Sequence, residues 1–189
     1  MIKDRNISYK YQSMWIPAAA FDLIGASVDP IDSSETIGEL GSSGIVGIDL
    51  GAGAGDEAAY FSMPTPTYVD WDNSVFYRVI YAADNTTSTS FAISADETSF
   101  GTAPSKVIGT AFVTLTDTPI NDVVSATPWG KADSSTSNGI AGTSDFLRIN
   151  IACTANTVGN PHLIGLEIKH LPKLTDGPQV SDQADPTDA

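Results

Sequence analysis

The chain has 189 residues, 41% of them hydrophobic, with 23 acidic side chains against 9 basic ones and a formal net charge of −14. A chain of this length suits one well-filled core, and its apolar content excludes wholesale disorder. The charge argues against nucleic acid as a partner, because phosphate backbones are held by clustered Lys and Arg. No apolar run reaches the roughly 18 residues of a membrane-spanning helix.

Residues 1–11 read as an extended arm. Lys3, Arg5 and Lys10 give it a basic character, and it lacks the apolar stretch of a secretory signal. From residue 12 to residue 77 there is no Lys or Arg, whereas Asp and Glu occur 10 times. Short segments rich in β-branched and aromatic residues then predict strands near Gln12–Ile16, Ile45–Leu50, Glu57–Met63, Ser74–Tyr81, Ser90–Ser94, Lys106–Thr116, Asp122–Ala126, Asp145–Cys153 and His162–His170. Several alternate with period two, as a half-buried strand requires. Val75, Tyr77, Val79 and Tyr81 share one face; Leu147, Ile149 and Ile151 oppose Arg148 and Asn150; and Leu163, Gly165, Glu167 and Lys169 oppose Ile164, Leu166, Ile168 and His170. Helical signal is confined to Ala18–Ile24 after Pro17, enough for one or two turns.

Strands without intervening helices exclude parallel βαβ units. The expected fold is all-β: an antiparallel β-sandwich of jelly-roll type over residues 12–171. Residues 172–189 form an extended acidic tail with Asp176, Asp182, Asp185 and Asp188. The stretch from Lys131 to Thr143, rich in Ser, Thr, Asn and Gly, is expected to be an exposed loop. Cys153, the lone cysteine, is expected to be a small buried hydrophobe in a strand.

Candidate chemistry is sparse. Ile48-Asp49-Leu50-Gly51-Ala52-Gly53-Ala54-Gly55 resembles the glycine-rich first motif of S-adenosylmethionine-dependent methyltransferases, with Asp70 near an acidic ribose ligand's place. That motif needs a following helix, and Pro64 and Pro66 cut the space for one; residues 56–63 read better as a strand. His162 and His170 lie eight residues apart in one strand, so both face one side but about 26 Å apart; each is expected to be partly exposed and not catalytic. The acidic pairs Asp56-Glu57, Asp70 with Asp72, and Asp96-Glu97 are too common in this chain to mark a glycosidase. Asp29, Asp32 and Glu35 have oxygen-ligand character without a complete calcium loop. No catalytic, cofactor-binding or metal residues are assigned, and no cofactor.

Three tryptophans remain. On one exposed face, Trp15, Trp71 and Trp129 would form a sugar-stacking platform. The expected arrangement instead places Trp15 in the core, with Trp71 and Trp129 capping the sandwich while each indole N–H finds a carbonyl.

Met14-Trp15-Ile16-Pro17-Ala18-Ala19-Ala20 opens a series of motifs that continues with Glu57-Ala58-Ala59-Tyr60-Phe61-Ser62-Met63-Pro64 and Trp71-Asp72. It runs on through the strand Val75–Tyr81 to Phe146-Leu147-Arg148-Ile149 and Leu163-Ile164-Gly165-Leu166-Glu167-Ile168. Over residues 12–171 this order resembles a family of small β-rich virion proteins encoded by tailed, often aquatic, bacteriophages. The glycine-rich segment 38–55 and the Asp-rich tail depart from it. The resemblance implies a jelly-roll virion component without catalytic residues: a capsid decoration (cement) protein on the outer capsid surface, often a homotrimer, with the major capsid protein as partner. Lys3, Arg5, Lys10, Asp176, Asp182 and Asp185 are the candidate partner contacts. A tail-fibre or receptor-binding module that recognises a host glycan is the alternative, and an S-adenosylmethionine enzyme the outside one.

Overall fold

Val75, Tyr77, Val79 and Tyr81 are fully buried, while Phe76, Arg78, Ile80 and Ala82 between them are only half-buried. This is the period-two signature of a strand with one face in a core. The computed structural model describes residues 11–24, 37–39, 46–50, 58–72, 75–102, 110–132, 140–155 and 161–173. Among these it contains twelve strands: β1 (Gln12–Pro17), β2 (Asp22–Ile24), β3 (Ile37–Glu39), β4 (Val46–Asp49), β5 (Ala58–Pro64), β6 (Val75–Ala83), β7 (Thr89–Thr98), β8 (Val113–Asp117), β9 (Val123–Ala126), β10 (Gly130–Ala132), β11 (Phe146–Ala155) and β12 (Pro161–His170).

The strands form two antiparallel sheets. One runs β10-β6-β12-β4-β3, with β1 also pairing β12 and β9 also pairing β6; the other runs β2-β5-β11-β7-β8. The expected antiparallel β-sandwich is therefore the fold. Between the sheets lie Leu147, Ile149, Ile151, Phe91 and Ile93 from one side and the inward residues of β6 and β12 from the other. Aromatic edges interlock there, with the Tyr81 and Phe91 rings 4.9 Å apart and those of Tyr77 and Phe112 5.3 Å apart. Each such side chain contributes about 1.5–3 kcal/mol by leaving water. Cys153 is buried opposite Phe91, as a small hydrophobe in a strand.

Several expectations need correction. The helical signal over Ala18–Ile24 yields a single 3-10 turn, Ala18–Ala20, and then β2. Pairing of Asp22, Leu23 and Ile24 with β5 captures the backbone that a second turn would have needed. Of the strand expected over Lys106–Thr116, residues 106–109 lie outside the described residues, 110–112 are not strand, and β8 covers Val113–Asp117; the one expected at Ser90–Ser94 extends to Thr98. Residues 131–132 belong to β10, and Ile140, also in the expected exposed loop, is buried. Asn150, expected on the solvent side, is only 1% exposed; its Nδ2 donates to Asp96 Oδ2 at 3.2 Å. Residues 58–64 are a strand paired to β11, which removes the helix required by a nucleotide-type glycine turn; residues 51–57 lie outside the described residues.

In β12 the register shifts between Leu163, opposite Tyr81, and Gly165, opposite Ile80. This bulge interposes Ile164 and reverses the parity of everything after it. Leu163 is buried before the bulge and Leu166, Ile168 and His170 after it, so His162 and His170 face opposite sides. His170 is 2% exposed, not the surface residue expected; its ring lies 5.7 Å from that of Tyr68.

Burial pushes the phenol of Tyr77 far above its ordinary range, and no partner meets its hydroxyl. Tyr81 is pushed the same way, first by burial and then by Asp117, whose carboxylate accepts its hydroxyl at 3.2 Å. A group whose folded pKa is raised contributes stability that is complete below its unfolded value, here about 10, and fades as the pH climbs above it. The urea midpoint is therefore expected to fall steadily between pH 9.5 and 11.5, with two of the tyrosines ionising only on unfolding, read by absorbance of the phenolate. Tyr77→Phe removes an unpaired buried hydroxyl and is expected to leave stability unchanged or raise it by about 1 kcal/mol, measured by urea denaturation.

Candidate functional site

The outer face of the seven-stranded sheet can be read row by row from the registers. Lys131 on β10, Phe76 on β6, Lys169 on β12 and Ser13 on β1 make one row. In the next, Arg78, Glu167 and Trp15 lie side by side, and Trp129 precedes β10 at the near edge. A third row holds Ala126, Ile80, Gly165 and Pro17.

Trp15 is 49% exposed, which overturns its expected place in the core. Met14, Trp15 and Ile16 are consecutive, and a strand cannot turn all three inward. Ile16 is buried and Met14 packs against the core, so Trp15 must point out. Its indole lies across Gly165: a Cβ there would come within 2.4 Å of Trp15 Cη2 and 2.7 Å of the Ile16 carbonyl oxygen. The missing side chain is what lets a large flat ring settle on the sheet.

Trp129 reaches the same face by another route. Pro128 has no N–H for the β6 ladder, so pairing breaks between β9 and β10. Thr127 bridges the break: its N–H donates to the Val79 carbonyl at 3.0 Å, and its Oγ1 accepts the Val79 N–H at 3.1 Å. Beyond this point the indole of Trp129 meets two cations, the Arg78 guanidinium 4.6 Å and the Lys169 ammonium 4.2 Å from the ring centroid. Such contacts orient a ring while leaving its cations charged. Arg78 also forms an ion pair with Glu167 across the strands. Tyr11, 48% exposed, stands edge-on to Phe76 with ring centroids 5.4 Å apart.

Trp71 does not join this platform. It is 4% exposed, and its Nε1 donates to the Pro66 carbonyl at 3.2 Å, the capping role expected of it. Trp129 does not cap the sandwich but lies beside the charged rows. The sandwich end near Trp71 carries a second aromatic group, Phe100 and Phe146, whose rings stand edge to face 5.1 Å apart. The carboxylates there are already engaged: Glu97 accepts the N–H groups of Ala141 and Gly142, both at 2.8 Å, and Asp145 that of Phe100 at 2.7 Å. On the opposite sheet, Asp96 pairs with Arg148 at 2.6 Å. Among the described residues no three His, Cys, Asp or Glu side chains group as metal ligands would. Asp29, Asp32 and Glu35, and the candidate partner contacts Lys3, Arg5, Lys10, Asp176, Asp182 and Asp185, lie outside the described residues.

No family model matches the sequence, and no curated protein matches it. Solved structures do match the fold. The CBM36-1 domain of a multidomain xylanase from the hindgut metagenome of Trinervitermes trinervoides is similar with a TM-score of 0.52 at 10% identity, over 83% of this chain and 96% of that one. A carbohydrate-binding module CBM36 in complex with calcium and xylotriose gives 0.51 at 11%, over 82% and 98%. The isomalto-dextranase of Arthrobacter globiformis T6, complexed with panose, gives 0.52 at 17%; this chain spans 23% of its length. At these identities the likeness is one of fold, a β-sandwich shared with carbohydrate-binding modules. The virion family is not among these three.

The seat of Trp15 can be tested directly. Gly165→Ala places a methyl group against both the indole and the rigid Ile16 carbonyl, so a loss of about 1–3 kcal/mol is expected. Urea denaturation followed by tryptophan emission reads both the stability and the displaced ring; an unchanged midpoint and spectrum contradict this seating.

Proposed function

We propose that the chain is a non-catalytic carbohydrate-binding module whose platform is the outer face of the seven-stranded sheet. The observation that carries the reading is the half-exposed indole of Trp15, seated over Gly165 and flanked by the Glu167–Arg78 pair. A pyranose ring offers an apolar C–H face for such an indole and a rim of hydroxyls that both donate and accept. Glu167 supplies an acceptor and Arg78 donors one strand away. Trp129, about 14 Å from Trp15 by three strand spacings, gives an extended glycan a second aromatic contact.

The fold supports this reading, since two of the similar structures are carbohydrate-binding modules along nearly their whole length. The non-catalytic part rests on chemistry. Glycoside hydrolysis uses two carboxyl groups across the scissile bond, whereas Glu167 is the one carboxylate described in the tryptophan row and is held by Arg78. The capsid-decoration reading depends on arm and tail residues outside the described set, which is why the glycan reading is preferred. The two are compatible if the chain is borne on a virion, where this face would serve host recognition.

Affinity electrophoresis and calorimetry against a panel of soluble polysaccharides test the proposal. Trp15→Ala is expected to weaken binding by about 30-fold, as loss of a central aromatic anchor does, with Trp129→Ala also weakening it. Trp71→Ala should instead lower stability. Absence of binding to every polysaccharide in the panel, with the wild-type chain folded, would overturn the reading.

A further inference from the structure

We infer that this face takes the interior of a single extended glycan, a run of equatorially β-1,4-linked pyranoses lying across the strands, and not a chain end; this rests on the proposed function and adds the ligand's class. One row carries the inference: Trp15 on β1, Glu167 on β12, Arg78 on β6 and Trp129 just before β10. Gly130 lies opposite Tyr77, which sets Trp129 level with Arg78, and the Arg78 guanidinium over the Trp129 ring places that ring on the outer face. The row crosses the sheet from edge to edge. β1 pairs with β12 and β10 with β6, and among the described residues no strand pairs with the far side of either. The two aromatic contacts therefore stand at opposite edges, with the ion pair between them.

That order decides which part of a glycan fits. A site for a chain end is closed on one side, so that protein groups meet the terminal hydroxyls. Here the hydrogen-bonding groups are central: Glu167 accepts and Arg78 donates in the middle of the row. The edges carry aromatic rings, past which a chain continues outward. Length follows from spacing. The two tryptophans stand three strand spacings apart, and a pyranose in an equatorial β-1,4 chain advances by about one such spacing. A sugar on Trp15 and a sugar on Trp129 are thus separated by two others, a run of about four units. Chains with α-1,4 links coil and advance much less per unit, so they cannot keep both contacts along one straight row.

Calorimetry tests this with cello-, xylo- and manno-oligosaccharides of two to six units, and with soluble glucomannan, arabinoxylan, dextran and starch. In at least one β-1,4 series, affinity should rise about tenfold between two units and four, then change less than about threefold up to six. Glucomannan or arabinoxylan should bind modules in proportion to chain length, because interior stretches repeat and ends do not. Trp129→Ala should remove the gain between two and four units while leaving two-unit binding unchanged, with circular dichroism confirming the fold. Full affinity for a two-unit sugar, an equal loss at every length in Trp129→Ala, or one module per polysaccharide chain whatever its length overturns the inference and leaves the proposed function standing. Binding confined to dextran or starch does the same. No binding to any polysaccharide overturns both.

Discussion

The register shift in β12 is the constraint on which this molecule turns. Continued without interruption, pairing with β6 would set Ile164 opposite Ile80 and send Glu167 and Lys169 toward the core, with Leu166 and Ile168 on the outside. One interposed residue reverses this. Leu163 remains buried, and Leu166, Ile168 and His170 join it. Burying Leu166 and Ile168 outweighs the one unpaired ladder position, because each contributes about 1.5–3 kcal/mol against about 0.5–1.5 kcal/mol for a hydrogen bond. The same shift brings Glu167 beside Arg78 and sets Gly165 under Trp15. Core and platform are therefore two consequences of a single defect in the ladder.

β12 matters beyond its own length because it is the spine of its sheet. β6 lies along one edge, while β1 and β4 share the other. β6 in turn carries β9 and β10 end to end, with Thr127 spanning the gap. An error of one residue in β12 would move every outward side chain of β1 relative to those of β6. The rows that join Trp15, Glu167 and Arg78 exist only in this register.

Much of the fold was legible from alternation alone. β6 and β11 were readable because their buried residues, Val75, Tyr77, Val79 and Tyr81 in one and Leu147, Ile149 and Ile151 in the other, keep a period of two. β12 was readable as a strand but not as a bulged one. Leu163 and Leu166 have opposite parity, and both are apolar, a conflict that only an extra residue resolves. The short strands β2, β3 and β10, three residues each, carry too few side chains to show any period, and neighbours supply their pairing. The Trp15 site could have been found in the sequence, since the buried parity of Met14 and Ile16 forces the residue between them outward. Trp129 could not: its place depends on where Pro128 breaks the ladder and on cations brought to it from β6 and β12.

Placement of Arg78 and Lys169 also explains how an exposed tryptophan keeps a fixed pose. A lone indole on a sheet surface gains little from water on both faces and samples several rotamers. Trp15 is confined from beneath by the bare backbone of Gly165, and Trp129 by two cations within 5 Å of its ring. Each ring is thus held in place by the protein itself, which on the proposed glycan reading would reduce the side-chain entropy lost on binding. The ordering comes from different sources, steric in one case and electrostatic in the other, and the Arg78–Glu167 pair ties the two together across β6 and β12. A face assembled in this way is rigid where it is aromatic and charged where it is rigid. That combination follows from strand register, from one glycine and from the short β9–β10 connection that carries Trp129.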